Sequence, residues 1–351
     1  MKQAVTTAPH AVEIQAADVP RPGAGEALVR LERVGICGSD LHLFHGKHPY
    51  ASYPRIQGHE AAGVVVETGA GAGSAVALGQ RVAIEPLIAC GDCYPCRAGR
   101  RNCCVRLQVL GAHVDGCFRE YVALPVSMLY PVGDLSADEA ALAEPLSIGV
   151  QAAHRGAIGA GEQVAVVGAG PIGAAVSLAA LDRGARVMVV DRLPSRLRLM
   201  QRLGVERTTV AGEEDVAAAV ADWTGGEGPA VMVDAVGAPA VIRQCCALVA
   251  SAGRVVIIGL SDQEVSLPVI DFTRKEMTIL GSRNNAGRFA EAIALVGRRR
   301  ARLGAMITHR YPLEAMPEAI QFAADHPAEV EKAMIEIWDR PDAAEQGAAR
   351  R

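Results

Sequence analysis

Aromatic residues are scarce in this chain: Phe, Trp and Tyr make up 4% of its 351 residues. A large aromatic pocket for a bulky apolar ligand is therefore not expected. Lysine is scarcer still, with four against 31 arginines, a bias best ascribed to genomic codon usage. No apolar run approaches the roughly 20 residues of a membrane span, so no membrane partner is expected. The opening MKQAVTTAPHAVEIQ lacks the apolar stretch of a secretion signal, and a cytoplasmic location is the expectation. Positive charge is not in surplus either. The formal net charge is −4, and no clustered basic, aromatic stripe marks a nucleic-acid surface. Internal repeats and long low-complexity linkers are also missing.

What is present suits a globular protein. Half the residues are hydrophobic and 21% are charged, which excludes disorder over most of the length. At roughly 150 residues per domain, the length implies about two domains. The 37 glycines ask for many turns or close backbone approaches. Nine cysteines, an odd number in a long chain, read as thiols or metal ligands rather than a disulfide framework.

The first ~150 residues contain short β-branched runs bounded by Gly and Pro, which suit strands: 26–36, 61–69 and 81–86. From residue 163 the pattern becomes buried strand, glycine turn, helix. RVMVVD at 186–191, AVMVDAVG at 230–237 and RVVIIGL at 254–260 are continuous apolar runs, as expected of strands buried on both faces of a parallel sheet. Residues 276–282 read as a last strand, at the edge. Residues 288–300 form an amphipathic helix with Phe289, Ile293 and Val296 on one face, and its closing RRR reads as a solvent-facing C-terminus. The tail 339–351 is polar and expected to fray.

Gly168-Ala169-Gly170-Pro171-Ile172-Gly173 is G-x-G-x-x-G, preceded by the strand QVAVV and followed by a helix. The first glycine makes the tight turn, the second admits a pyrophosphate, and the third lets helix and strand pack closely. Phosphates would rest on the free N–H groups of the helix N-terminus. Asp191 ends the next strand. A carboxylate there accepts from both ribose hydroxyls and repels a 2′-phosphate, favouring NAD over NADP, although Arg192 beside it offers a phosphate partner.

Two metal sets stand out. Cys90, Cys93, Cys96 and Cys104 supply four thiolates from a lobe (about 88–106) too polar to pack a core, so a closed structural zinc site is expected, with Cys103 as the alternative last ligand. Cys37 in GICGSDLH and His59 with Glu60 in GHEAAG would make an open, catalytic zinc site. Glu144 in AEPLS is a further ligand or a holder of the zinc-bound water. Two zinc ions per chain are expected.

Taken together, GICGSDLH, GHEAAG, the four-cysteine lobe, EPLSIG, GAGPIG with Asp191, and GSRN at 281–284 resemble the zinc-dependent medium-chain dehydrogenases in their polyol branch, from the first strand to about residue 335. Glu144 stands where classical alcohol dehydrogenases carry a third cysteine, as in sorbitol- and threonine-dehydrogenase-like members. LGAHVDGCFREYV, GSRN and THRYPL are similar to bacterial L-galactonate and L-idonate 5-dehydrogenases. The resemblance implies a GroES-like β-rich catalytic domain over 1–148, a Rossmann NAD-binding domain with a doubly wound parallel sheet over 149–285, and a segment over 286–351 that returns to the catalytic domain.

It also implies hydride transfer from a secondary alcohol of a polyol or sugar acid to NAD. Ser39 and His42 match the family's proton relay, and Glu60 and Glu144 would share the catalytic zinc. Arg283 matches an arginine that faces substrate and cofactor; it suits a substrate carboxylate or a cofactor phosphate. Arg196 lies near the adenine ribose, Leu260 beside the cofactor, and His113 and Asp115 along the substrate cleft. His45 and His48 read as exposed loop residues. Family members are dimers or tetramers joined edge to edge through the nucleotide-domain sheets, and a homotetramer is the expectation. Three other readings compete. A zinc-ribbon binding module is opposed by the negative charge. A zinc-free quinone reductase is opposed by Cys37, His59 and the lobe. A threonine 3-dehydrogenase is separable only by substrate profiling.

Overall fold

Buried valine, leucine and alanine in β-period runs organise the first part of the chain. The computed structural model describes residues 1–48 and 50–338. They form two units: residues 1–89, 106–144 and from 307 onward in the first, and residues 90–105 and 145–306 in the second. The first unit opens with the hairpin β1 (Lys2–Ala8) and β2 (Ala11–Ala16). Its longest strand is β3 (Glu26–Gly35), followed at once by the short helix α1 (Gly38–Phe44). Then come β4 (Glu60–Thr68), β5 (Arg81–Ile84) and the short pair β6 (Leu87–Ile88) and β7 (Gln108–Val109). β8 (Tyr121–Pro125) and β9 (Leu129–Pro131) complete this stretch. Between β6 and β7 lies the cysteine lobe, with its single helical turn α2 (Tyr94–Arg97). The antiparallel register of β3 and β4 sets Gly35 opposite Glu60. After β9 come α3 (Ala137–Ala141), with a Ser136–Glu139 capping box, and α4 (Ala143–Arg155), which carries the chain from the first unit into the second.

The second unit repeats strand and helix: β10 (Gln163–Val167), α5 (Pro171–Asp182), β11 (Arg186–Asp191), α6 (Pro194–Leu203), β12 (Arg207–Val210) and α7 (Val216–Thr224). It continues with β13 (Val231–Asp234), α8 (Pro239–Leu248), β14 (Arg254–Ile257), α9 (Val269–Lys275) and β15 (Thr278–Gly281). All five strand pairings are parallel, in the order β12-β11-β10-β13-β14-β15. Counted along the chain this is 3-2-1-4-5-6, the doubly wound order whose reversal lies between β10 and β13. The apolar runs 186–191, 230–237, 254–260 and 276–282 all contain a strand, and β15 is the edge.

α10 (Phe289–Leu303) buries Phe289, Ala292, Leu295 and Val296. As expected, the RRR run faces solvent, with Arg298 and Arg300 exposed and Arg299 half-buried, but it does not end the helix. The helix continues to Leu303, and Arg298 and Arg299 both pair with Asp182 of α5. Arg302 donates to the Leu203 carbonyl at the end of α6. A helix tied in this way belongs to the second unit, so the returning segment starts at Ile307 rather than at residue 286. The cysteine lobe, expected within 1–148, also packs with the second unit over residues 90–105. The return consists of β16 (Ile307–Pro312), α11 (Met316–Asp325) and β17 (Lys332–Glu336). β17 pairs with the C-terminal end of β3, completing the seven-stranded sheet of the first unit. The expected fraying of 339–351 lies outside the described residues.

Two glycines give opposite expectations for stability. A Cβ on Gly149 of α4 would lie 2.3 Å from the backbone of Ala175 in α5. Gly149→Ala is therefore expected to cost about 1–3 kcal/mol by overpacking. Gly297 of α10 has open space around its missing Cβ, and Gly297→Ala should gain about 0.4–1 kcal/mol. Urea unfolding of the two variants checks both signs.

Candidate active site

The four-cysteine lobe holds its sulfurs at separations suited to a metal. Sγ–Sγ distances are 3.4 Å for Cys90–Cys104 and Cys93–Cys96, 3.8 Å for Cys93–Cys104 and 3.9 Å for Cys90–Cys96. A tetrahedron of ~2.3 Å Zn–S bonds has edges of about 3.8 Å, whereas a disulfide would bring two sulfurs to about 2.05 Å. Backbone hydrogen bonds from Val105 and Cys96 pull the Cys93 thiol down to about 6. Desolvation and the Cys93 sulfur push Cys96 up to about 12. Four crowded thiols cannot all ionise without a cation among them. Cys103 is exposed and outside the cluster, while Cys104 is buried within it, so the alternative last ligand is excluded. Adjacent residues on this turn point to opposite sides, which spacing alone does not reveal.

The second set is built by strand ends. Cys37 caps α1 immediately after β3, and its N–H donates to Asp40 Oδ2 at 2.8 Å. Glu60 opens β4 opposite Gly35. A Cβ at Gly35 would lie 2.2 Å from Glu60 Oε2, so only glycine leaves room for this carboxylate. Ligand atoms of Cys37, His59 and Glu60 all lie within 4.8 Å of one another. Glu60 Oε1 accepts from Lys332 Nζ at 2.6 Å, with both side chains almost fully buried. Glu60 Oε2 and His59 Nδ1 are buried without a hydrogen-bond partner in the protein. Asp40, also buried, accepts from the Gly58 N–H and lies 3.9 Å from His59 Nδ1.

Glu144, at the start of α4, is buried but is not one of the three close ligands. Burial, reinforced by the Glu60 charge, raises its carboxyl to about 7, against the attraction of His59 and Lys332. Burial opposes protonation of His59, yet Cys37, Asp40 and Glu144 around it outweigh this and hold its pKa well above the usual imidazole range. The pocket thus gathers four acidic groups against Lys332 and His59. An electronegative thiol, imidazole and carboxylate set with two orphaned buried donor atoms fits a divalent cation, and zinc in particular.

Lys332, Asp40 and Gly35 were not among the expected site residues. A signal for Lys332 does exist: it is one of four lysines, and it heads the apolar strand KAMIE. Ser39 and His42 stand three residues apart on α1, hence on one face, with His42 exposed. His45 is the C-cap of α1 and packs against His10 and Phe44, and His48 is half-buried; neither is an exposed loop residue. His113 packs on Tyr50, with ring centroids 4.4 Å apart. Asp115 accepts from Arg55 and from the Ile56 N–H.

In the second unit the glycine motif closes the turn from β10 into α5. Gly168 has φ 104°. Gly170 is the N-cap of α5, Pro171 its first residue and Ile172 its second. A Cβ on Gly173 would lie 1.8 Å from the Gly168 carbonyl oxygen, which enforces glycine there. Asp191 braces this turn: Oδ2 accepts from the Ala169 N–H at 2.7 Å and Oδ1 from the Leu193 N–H at 2.8 Å. Arg196 Nη1 would lie 3.6 Å from a Cβ at Gly170, so its guanidinium flanks the turn. Leu260, after β14, is 96% exposed, and Arg283, after β15, is exposed.

Known proteins resemble this chain over most of its length. Residues 23–134 match the alcohol dehydrogenase GroES-like domain, and residues 171–298 match the zinc-binding dehydrogenase domain. The chain is 38% identical to L-galactonate-5-dehydrogenase of Escherichia coli (strain K12) over 306 residues, 87% of this chain and 89% of that protein. Its fold superposes on the rspB alcohol dehydrogenase of E. coli CFT073, solved with NADH, with a TM-score of 0.89 and 30% identity over 96% of this chain and 99% of that one. A zinc-binding dehydrogenase from Sinorhizobium meliloti 1021, solved with NADP, gives a TM-score of 0.88 and 32% identity over 95% and 98% of the two chains.

Elemental analysis of freshly purified, unchelated protein is expected to find about two zinc ions per chain, one for each ligand set. One or none would count heavily against the assignment. Cys93→Ser should lose one of the two and destabilise the fold, because a closed metal site contributes folding energy. A variant as stable as its parent would remove the structural role of the lobe.

Proposed function

Because the chain belongs to the zinc-binding alcohol dehydrogenase family, with both of its domains, we propose that it oxidises a secondary alcohol of a polyol or sugar acid, an aldonate such as L-galactonate or L-idonate, with NAD as acceptor. The observation that carries this reading is the Cys37, His59 and Glu60 cluster, with the buried Glu144 in electrostatic reach of His59 and Glu60. A second carboxylate where classical members use a thiolate makes a more polar metal site, suited to a multi-hydroxyl substrate. Bound there, zinc supplies Lewis acidity that makes a hydroxyl proton removable near neutral pH, and the nicotinamide supplies the hydride acceptor.

The chain's own residues do the rest. Cys37, His59 and Glu60 hold the metal, with Glu144 as its alternate or water-holding carboxylate, and Lys332 balances the Glu60 charge. Ser39 Oγ takes the hydroxyl proton and His42, exposed on the same face of α1, passes it to solvent. The N–H groups at the start of α5 bind the pyrophosphate, and Gly168, Gly170 and Gly173 permit its approach. Asp191 and Arg196 would hold the adenosine ribose, and Leu260 would contact the cofactor. Asp191 favours NAD, since a 2′-phosphate would meet its charge. The nine cysteines are all free, which suits a reducing compartment and supports a cytoplasmic location. Among the described residues no helix is long and apolar enough to cross a membrane.

Arg283 is the residue assigned to the substrate carboxylate, which a guanidinium grips with two parallel hydrogen bonds. A charge-assisted pair is worth about 1.5–3 kcal/mol, so Arg283→Ala should lower kcat/KM for an aldonate on the order of tenfold to a hundredfold. Turnover of a neutral polyol should fall much less, and NAD should outperform NADP with both substrates. Equal losses on aldonate and polyol would move Arg283 to the cofactor and make a neutral polyol or sugar the better substrate.

A homo-oligomer, dimer or tetramer, completes the reading. β15 ends the sheet, α9 buries none of its residues, and Val269 and Ile270 are exposed beside it in sequence. Unpaired edges and apolar surface of this kind favour a second copy of the chain. Light scattering is expected to report a multimer that Ile270→Asp weakens; a monomeric parent would overturn this.

A further inference from the structure

Asn102 has no part in the chemistry above, yet the fold treats it unlike its neighbours. It is the middle residue of the turn Arg101–Cys103 in the cysteine lobe, where both flanking residues are exposed. Asn102 itself is 1% exposed. Its Nδ2 donates to the carbonyl oxygen of Arg283 at 2.7 Å, joining residues 181 apart in sequence within one unit. Its Oδ1 is buried without a hydrogen-bond partner. If packing alone were required, an apolar side chain would avoid leaving that acceptor unmet. What the amide adds is the bond to Arg283.

The segment it grips is strained. Asn284 and Ala286 have φ of 47° and 50°, the left-handed region that residues with a Cβ seldom enter. Such conformations persist where the surroundings over-determine them. Several bonds hold the flanks. Arg155 Nε donates to the Gly281 carbonyl, the Ser282 N–H to the Ile257 carbonyl, and the Gly287 N–H to Asn285 Oδ1. At the carbonyl of Arg283 the partner is Asn102.

We propose that Asn102 is a positioning residue, which anchors the Arg283 backbone to the four-cysteine lobe. An intact lobe then sets where the guanidinium stands. The lobe therefore contributes to ligand binding as well as to stability, although none of its residues needs to touch the ligand. This rests on the reading of Arg283 given above.

A double-mutant cycle with Asn102→Ala and Arg283→Ala tests it, read by kcat/KM for an aldonate and by NADH affinity from fluorescence titration, with zinc content measured on every variant. Asn102→Ala should keep the parent's zinc content. It should weaken aldonate kcat/KM or NADH affinity about three- to tenfold, the worth of one hydrogen bond. In the Arg283→Ala background the same substitution should have almost no effect, because the side chain it positions is gone. Equal factors in both backgrounds would mean a general structural role and overturn the proposal, as would no effect in the parent. If Arg283→Ala is itself silent in both readouts, the reading of Arg283 fails and takes the proposal with it. That outcome is distinct from an active Arg283 to which Asn102 is not coupled. Should Asn102→Ala not fold, Asn102→Asp, of the same shape without the donor, carries the same cycle.

Discussion

The carboxylate of Glu60 meets the ammonium of Lys332 2.6 Å away, with 2% and 1% of the two side chains exposed. Removing one partner from such a buried pair costs about 3–5 kcal/mol, a large part of the 5–15 kcal/mol that ordinarily separates folded from unfolded chains. Much of the first unit is arranged around it. Gly35 lacks a side chain so that the carboxylate fits, and the β3–β4 register puts the two residues opposite each other. β17 pairs with the end of β3, which brings Lys332 to the spot, and Lys332 also donates to the Ile36 carbonyl. With Oε1 turned to Lys332, Oε2 is left beside Cys37 and His59 without a partner in the protein, where a metal would fit.

The parts legible in the sequence were those whose cause is local. A glycine turn between a strand and a helix and four cysteines within 15 residues each carry their explanation in neighbouring positions. So do runs of valine buried on both faces. The glycine turn and the valine strands stand where expected, the parallel strands in doubly wound order, and the four cysteines do cluster, although in the second unit rather than the first. What stayed hidden depends on residues far apart in the chain. Lys332 is conspicuous as one of four lysines, but its partner is invisible until β17 is seen beside β3. The arginines of α10 show a polar face, but periodicity cannot say that Asp182 waits across from it. Cys103 and Cys104 are equivalent by spacing and are told apart only by the direction of the turn. Asn102, whose amide reaches from the lobe to the Arg283 carbonyl, is a residue type with no periodic signature.

Asp191 illustrates how one side chain can serve both architecture and selectivity. Its two oxygens accept from Ala169, inside the glycine turn, and from Leu193, ahead of α6. A carboxylate accepts more than one hydrogen bond per oxygen, so capacity remains for a ribose. On the reading proposed above, the carboxylate that holds this turn in shape would also be the charge that a 2′-phosphate meets. Replacing Asp191 to shift cofactor preference would also remove both of these bonds, so the two effects would be coupled by geometry.

The interrupted first unit has a consequence for the order in which the protein is made. Lys332 follows Glu60 by 272 residues. At about 5–20 residues per second, the ribosome delivers it on the order of tens of seconds later. During that interval the sheet around Glu60 lacks both β16 and β17, and a buried carboxylate has no ammonium to meet. The second unit is complete once residue 306 has emerged, since its lobe at 90–105 is already synthesised. Synthesis thus finishes the second unit first, and the first unit closes around a carboxylate that has waited for its cation.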